Sequence, residues 1–243
     1  MWRRILLSIA LLLTCAYLVL ALTAFNRPPS AVCTGIGLNA GDTTQRGFIS
    51  QKEVERLLSK AKLHPVGEAV ESVRTDLMEE ALSHHPLVDE VECFKTPAGG
   101  LCIEVSQRMP ILLVMPQSGP SYYIDSKGRA MPTGAQVVAH VPVATGQISR
   151  DMAEGPLYEF ACYLQETPFW NAQIEQINVG AGGGVELVPR VGKHHIYLGE
   201  LTAWERKLSR VKRFYQQALG RVGWNKYKLI NVEFDNQIIC TKP

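Results

Sequence analysis

SQKEVERLLSKAKLHPVGEAVESVRTDLMEEALSHHPLVDEVECFKTPAGGLCIEVSQR, residues 50–108, switches from helical to strand periodicity, and that switch decides the fold. Ser50-Gln51-Lys52-Glu53 is a capping box, and Val54, Leu57, Leu58 and Ala61 fall on one helical face before His64-Pro65 ends the run. A second helix is read from Val70, Val73, Leu77 and Ala81, with Met78 and Leu82 alongside, stopped by His84-His85-Pro86. Strands are expected at 88–94 and 101–108, joined as a hairpin through Thr96-Pro97-Ala98-Gly99-Gly100. Upstream, residues 32–38 supply a first strand. Strand, helix, helix, strand, strand is an α+β unit whose helices cover one face of a small sheet.

Beyond Pro110 the signals become short strands. Residues 111–115, 121–124 and 129–131 surround the turn Asp125-Ser126-Lys127-Gly128, and 137–144 adds another strand. A helix at 154–166 turns Leu157, Phe160, Ala161 and Leu164 inward and stops at Thr167-Pro168. Strands at 174–179, 185–188 and 194–198 form a meander through glycine-rich turns. Thr202 and Glu205 open a long helix striped with Leu201, Trp204, Leu208, Val211, Tyr215 and Leu219, which Gly220 and Gly223 end. The chain closes with strands 228–234 and 237–241 around Asp235-Asn236, the last strand standing as an unpaired edge.

Toward the amino terminus, residues 5–25, ILLSIALLLTCAYLVLALTAF, contain no charge. At about 1.5 Å of rise per residue these 21 residues reach about 31 Å, the thickness of a hydrocarbon core. A cleaved signal has a shorter apolar region, and lipidation at Cys15 fails because Thr14 precedes it poorly and the run continues. Arg3 and Arg4 keep the amino terminus in the cytoplasm, so nearly all of the chain is exported. The expected plan is a cytoplasmic tail at 1–4, a membrane helix at 5–25, a linker at 26–31 stiffened by Pro28-Pro29, an α+β unit at 32–109 and a mainly antiparallel β domain with flanking helices at 110–243.

A net charge of +2 marks no nucleic-acid binder. Cys33, Cys93, Cys102, Cys162 and Cys240 lie in the exported part. Their odd number argues against a complete disulfide framework, and Cys102 falls on the strand face opposite Cys93, so free, mostly buried thiols are expected. Residues Gly180 to Gly184 lack the lysine and hydroxyl of a phosphate loop and read as a hairpin turn. His194 and His195 point to opposite faces of a strand and cannot chelate one metal; His84 and His85 sit at a helix end. Without a nucleophile elbow or a zinc-helix motif, no catalytic residue, cofactor or metal site is assigned. Glu205, Arg206, Lys207, Arg210, Lys212 and Arg213 are read as a solvated basic face, with a partner or acidic lipid as the sharper alternative.

FISQKEVERLL, EEALSHHPLVDEVECF, LCIEVSQRMPI, YYIDSKGRAMP, VPVATG, WNAQIEQINV, ELVPRVGKHHIYLG, KLSRVKRFYQQAL and WNKYKLINVEFDNQIICTK, in this order, resemble the FtsQ/DivIB family of bacterial cell-division proteins along practically the whole chain. The resemblance implies a POTRA domain of βααββ order, a C-terminal β domain and no enzymatic activity. It implies septal partners, chiefly FtsB and FtsL, at the inner membrane with the bulk periplasmic, and no small-molecule substrate. It also implies that FtsB adds a strand at the last strand, which falls here on Phe234, Asn236, Gln237, Ile238, Ile239 and Cys240. Two other classes stand beside it: a tethered envelope enzyme, and a POTRA component of a secretion or assembly system.

Overall fold

Ser50 sets the first helix of the folded part, as its hydroxyl accepts the Glu53 amide at the helix entrance. The computed structural model describes residues 2–25, 32–40, 49–96, 99–133 and 139–243, with side chains in the first helix described at Trp2 and 11–21. The linker at 26–31, Pro97 and Ala98 of the hairpin turn, and Val137 with Val138 lie outside the described residues. Helix α1 covers Trp2–Phe25. Among the described residues no helix is long and apolar enough to cross a membrane. The chain divides into two compact units, residues 1–106 and 107–243.

In the first unit β1 (Ile36–Ala40) is followed by α2 (Gln51–Lys60), α3 (Thr75–Ser83), β2 (Val88–Lys95) and β3 (Leu101–Gln107). The sheet order is β1-β3-β2, with β1 parallel to β3. Val54 and Leu58, one turn apart on α2, and Met78 with Leu82 on α3 are buried against Leu101, Ile103 and Val105 of β3 in one core. Fully burying such a side chain stabilises by about 1.5–3 kcal/mol. Lys62, at φ 58°, ends α2 by letting the Leu63 amide reach back to Leu58.

Two boundaries differ from the sequence reading. The first strand begins at Ile36 rather than 32, because Cys33 exchanges backbone hydrogen bonds with Gly67 and Glu68 and leaves Val32 in an isolated bridge to Ala69. Helix α3 begins at Thr75 rather than near Val70; Ser72 closes a turn on Ala69, yet Val73 still enters the core, so the apolar spacing ran on across a turn. The cysteines are free thiols, with Cys33 and Cys93 buried.

The second unit holds β4 (Pro110–Pro116), β5 (Tyr122–Asp125), β6 (Ala130–Pro132), β7 (Val143–Gly146), α4 (Arg150–Glu154), α5 (Pro156–Glu166) and α6 (Pro168–Gln173). These are followed by β8 (Ile174–Val179), β9 (Val185–Pro189), β10 (His195–Gly199), α7 (Trp204–Phe214), a π-helical turn (Tyr215–Leu219), α8 (Gly220–Val222), β11 (Leu229–Asn231) and β12 (Ile239–Thr241). They build a nine-stranded sheet, β12-β11-β10-β9-β8-β7-β4-β5-β6. It is mixed: β4 with β7, β7 with β8, and β10 with β11 run parallel. The other pairs whose direction is described are antiparallel.

Leu157, Phe160, Ala161 and Leu164 of α5, Trp170 of α6, and Leu208 and Val211 of α7 pack into one core with the sheet. The helix expected at 154–166 is broken at Gly155, so α4 precedes it, and Pro168 opens α6 instead of only closing α5. Gly146 ends β7 at φ 108°, where a Cβ would stand 2.0 Å from the Val179 carbonyl oxygen, so only glycine lets β7 meet β8 there. The entrance of α7 is Ala203 in the left-handed region with no side-chain cap, not a Thr202–Glu205 box.

Candidate functional site

The last strand is the outermost strand of the large sheet. Strand β12 pairs with β11 on one side, Ile230 opposite Cys240 and Asn231 opposite Ile239; among the described residues no strand lies on its other side. The Lys228 amide donates to the Thr241 carbonyl at 2.8 Å, and the Gln237 carbonyl accepts from Arg210. Ile239 and Thr241 lie opposite Asn231 and Leu229 with the Thr241 carbonyl turned to β11, so alternation along β12 turns the backbone groups of Cys240 to the open edge. The side chains of Ile238 and Cys240 rest against the core, whereas Ile239 is exposed, as is Phe234. Burial pushes the Cys240 thiol above its usual range.

The six residues singled out from the sequence thus fall into two groups. Phe234, Asn236 and Gln237 occupy the connection before β12, with Asn236 at φ 63° making the turn. Ile239 and Cys240 lie in β12, and Ile238 leads into it.

The basic face of α7 is solvated only in part: Glu205, Arg206 and Arg213 are exposed, whereas Lys207 is buried and Arg210 and Lys212 are half-buried. Arg210 donates from Nη1 to the Phe234 carbonyl at 2.6 Å and the Gln237 carbonyl at 3.2 Å, and from Nη2 to the Val232 carbonyl at 2.7 Å. Arg206, one turn earlier, pairs with Asp235 at 3.2 Å. Lys207 is buried, its ammonium donating to the Glu200 carbonyl at 2.9 Å, and burial lowers its pKa. Lys212 lies 4.9 Å over the Phe169 ring. The spacing of Arg206 and Arg210, i and i+4, was the available signal; what they face was not in it.

At the far end of the unit, Asp125 is buried and accepts the Lys127 and Arg129 amides through Oδ1 and the Arg108 and Arg129 guanidiniums through Oδ2. Burial alone would raise its pKa, but these amide and guanidinium donors outweigh it and hold the carboxyl below its ordinary value. A cleft of about 650 Å3 lies nearby, lined by Pro116, Tyr122, Met131, Pro132, Ile148 and Arg150. Residues 180–184 form the β8–β9 turn, with the Gly180 amide on the Gly184 carbonyl. His194 is buried with Nε2 2.6 Å from the Tyr215 hydroxyl, and His195 is exposed beside Glu186. Among the described residues no group of three or more His, Cys, Asp or Glu side chains can hold a metal ion.

The chain's relatives place this architecture. A family profile described as FtsQ/DivIB, C-terminal related, matches residues 109–241, and one described as a POTRA-like domain matches residues 31–106. The cell division protein FtsQ of Rhodothermus marinus is 30% identical over 185 residues, covering 71% of this chain and 67% of the relative. A POTRA-like unit followed by a β unit that itself matches over more than half the chain leaves one assignment: the chain belongs to the FtsQ/DivIB family of cell-division proteins.

Proposed function

We propose that this chain is a non-enzymatic, membrane-anchored scaffold of the division machinery that holds FtsB- and FtsL-type proteins, and that the outer edge of β12 receives a strand of the FtsB-type partner. The observation that supports the edge reading is that β12 ends the sheet, paired with β11 on one side, with the backbone groups of Cys240 on the other. Strand addition uses such groups for affinity and alternate side chains for specificity. The exposed Ile239 and Phe234 offer apolar surface beside them.

The anchor reading rests on the uncharged run at 5–25. Its described part, Leu11 to Leu20, leaves Leu11, Leu12, Leu13, Tyr17, Leu18, Val19 and Leu20 exposed, apolar surface that lipid would cover. Thr14 satisfies its hydroxyl on the Leu11 carbonyl within the helix, as a polar side chain in hydrocarbon must. In this reading the amino terminus is cytoplasmic, the two folded units are periplasmic, and the protein gathers at the septum of the inner membrane.

Proline at position 240 tests the edge. C240P removes an outward amide, and C240A removes only the thiol. Binding of the FtsB-type protein from the same genome should be lost in C240P and kept in C240A. Equal binding by both variants sinks strand addition at this edge. Depletion should give filamentous cells, and normal septation would contradict the scaffold role.

A further inference from the structure

The edge strand has little of its own to hold it in place. Among the described residues β12 pairs with β11 alone, over three residues. Seven residues, 232–238, connect them, long enough to let the edge wander. Three of their carbonyls converge on one guanidinium, that of Arg210.

We propose that Arg210 is the positioning residue of this interaction edge: by holding the Val232, Phe234 and Gln237 carbonyls it presents β12 preformed to an incoming strand. The proposal rests on the strand-addition reading above. A guanidinium is a rigid planar fork, so donating to three backbone carbonyls fixes their spacing as a flexible ammonium cannot. Arg210 also has its Nε buried without a partner, so its donors are committed to the connection at the expense of its own solvation. The neighbouring Arg206–Asp235 pair is exposed on both sides and holds the turn only weakly. Lys207 ties α7 to the Glu200 carbonyl just after β10, the parallel neighbour of β11, so the helix that carries Arg210 is itself fixed to the sheet.

An edge that is ordered before binding spares the partner the cost of ordering it. Without Arg210 that cost returns at each association. We expect R210A and R210K to weaken the FtsB-type partner's affinity by about tenfold or more. The two variants should lose similar amounts, and the loss should not depend on salt. In the free full-length chain, the amides of residues 233–239 should exchange faster in both variants while the midpoint of thermal unfolding of the β unit stays close to that of the parent.

The measurement is binding of the full-length chain in nanodiscs to that partner, at low and high salt, paired with hydrogen exchange of the unbound variants. Recovery of binding by R210K together with strong salt dependence would mean a direct ionic contact with the partner and would overturn the positioning role. Unchanged exchange and unchanged binding in R210A, with C240P impaired, would overturn it as well while leaving the edge reading intact. Failure of the edge reading itself shows separately, as unimpaired binding by C240P.

Discussion

Replacing Asp125 tests how much of the second unit hangs on one carboxylate. Its side chain is 1% exposed and receives Arg108 Nε at 2.7 Å, Arg129 Nη2 at 2.9 Å, and the Arg129 and Lys127 amides at 2.8 and 3.0 Å. In D125A the Arg108 side chain, 11% exposed, keeps its bonds to the Arg129 and Ala130 carbonyls but loses its counter-charge. Breaking a buried ion pair costs about 3–5 kcal/mol, and each stranded amide about 1 kcal/mol. Arg129 is half exposed, so water recovers much of its share, and the turn amides reach solvent once the carboxylate is gone. The expected loss for D125A is therefore about 4 kcal/mol. D125N retains an acceptor for the two amides and should lose about half as much. Trp170, Trp204 and Trp224 all lie in the second unit, so urea unfolding of the full chain followed by tryptophan fluorescence reads this unit directly. A loss below about 1 kcal/mol in D125A, or equal losses in the two variants, would refute the argument that charge and amide capture both matter.

Acid should act on this unit in two stages. Burial holds His194 below its ordinary 6.5, so the unfolded chain takes up that proton first and stability falls as pH drops below about 6.5; H194F should flatten that limb. The lowered Asp125 pKa contributes stability above 3.8 that is lost as pH falls through the folded value, and D125N should remove this lower limb from the pH profile of urea midpoints. Burial, with the Glu79 and Cys102 charges adding to it, pushes the Cys93 thiol up to about 12, so iodoacetamide at pH 8 should modify it far more slowly in the folded than in the denatured chain; equal rates would contradict its burial. G146A puts a Cβ into the Val179 carbonyl at a φ that L-residues avoid, and should cost more than about 2 kcal/mol in the same urea assay, with a neutral result contradicting the β7–β8 contact.

What the sequence made legible was local. The Ser50 cap, the inward faces of α2 and α5, and the turn at 125–128 depend on residues a few positions apart, and the structure has them where the spacing put them. The non-local pairings were not legible: nothing in residues 143–146 says that β7 lies parallel between β4 and β8, since a crossover leaves no period in the strand. Proline misled at 168, where one residue type both ends a helix and opens the next. At the edge, the segment 234–240 was named by resemblance alone, and what contacts its backbone was not legible. Lys207 and Arg210 have the spacing of a solvated charged stripe, and only the tertiary fold lays the Glu200 carbonyl against the first and the Val232, Phe234 and Gln237 carbonyls against the second.

The central claim, that β12 receives a partner strand on its outer edge, makes a residue-by-residue statement about amides. Hydrogen exchange of the full-length chain, resolved at residues 237–241 with and without the FtsB-type partner, tests it most directly. The Cys240 amide, turned outward, should slow on binding, while the Ile239 and Thr241 amides, already directed at β11, change little. Slowing confined to amides elsewhere in the chain, with Cys240 exchanging as in the free protein, would contradict it.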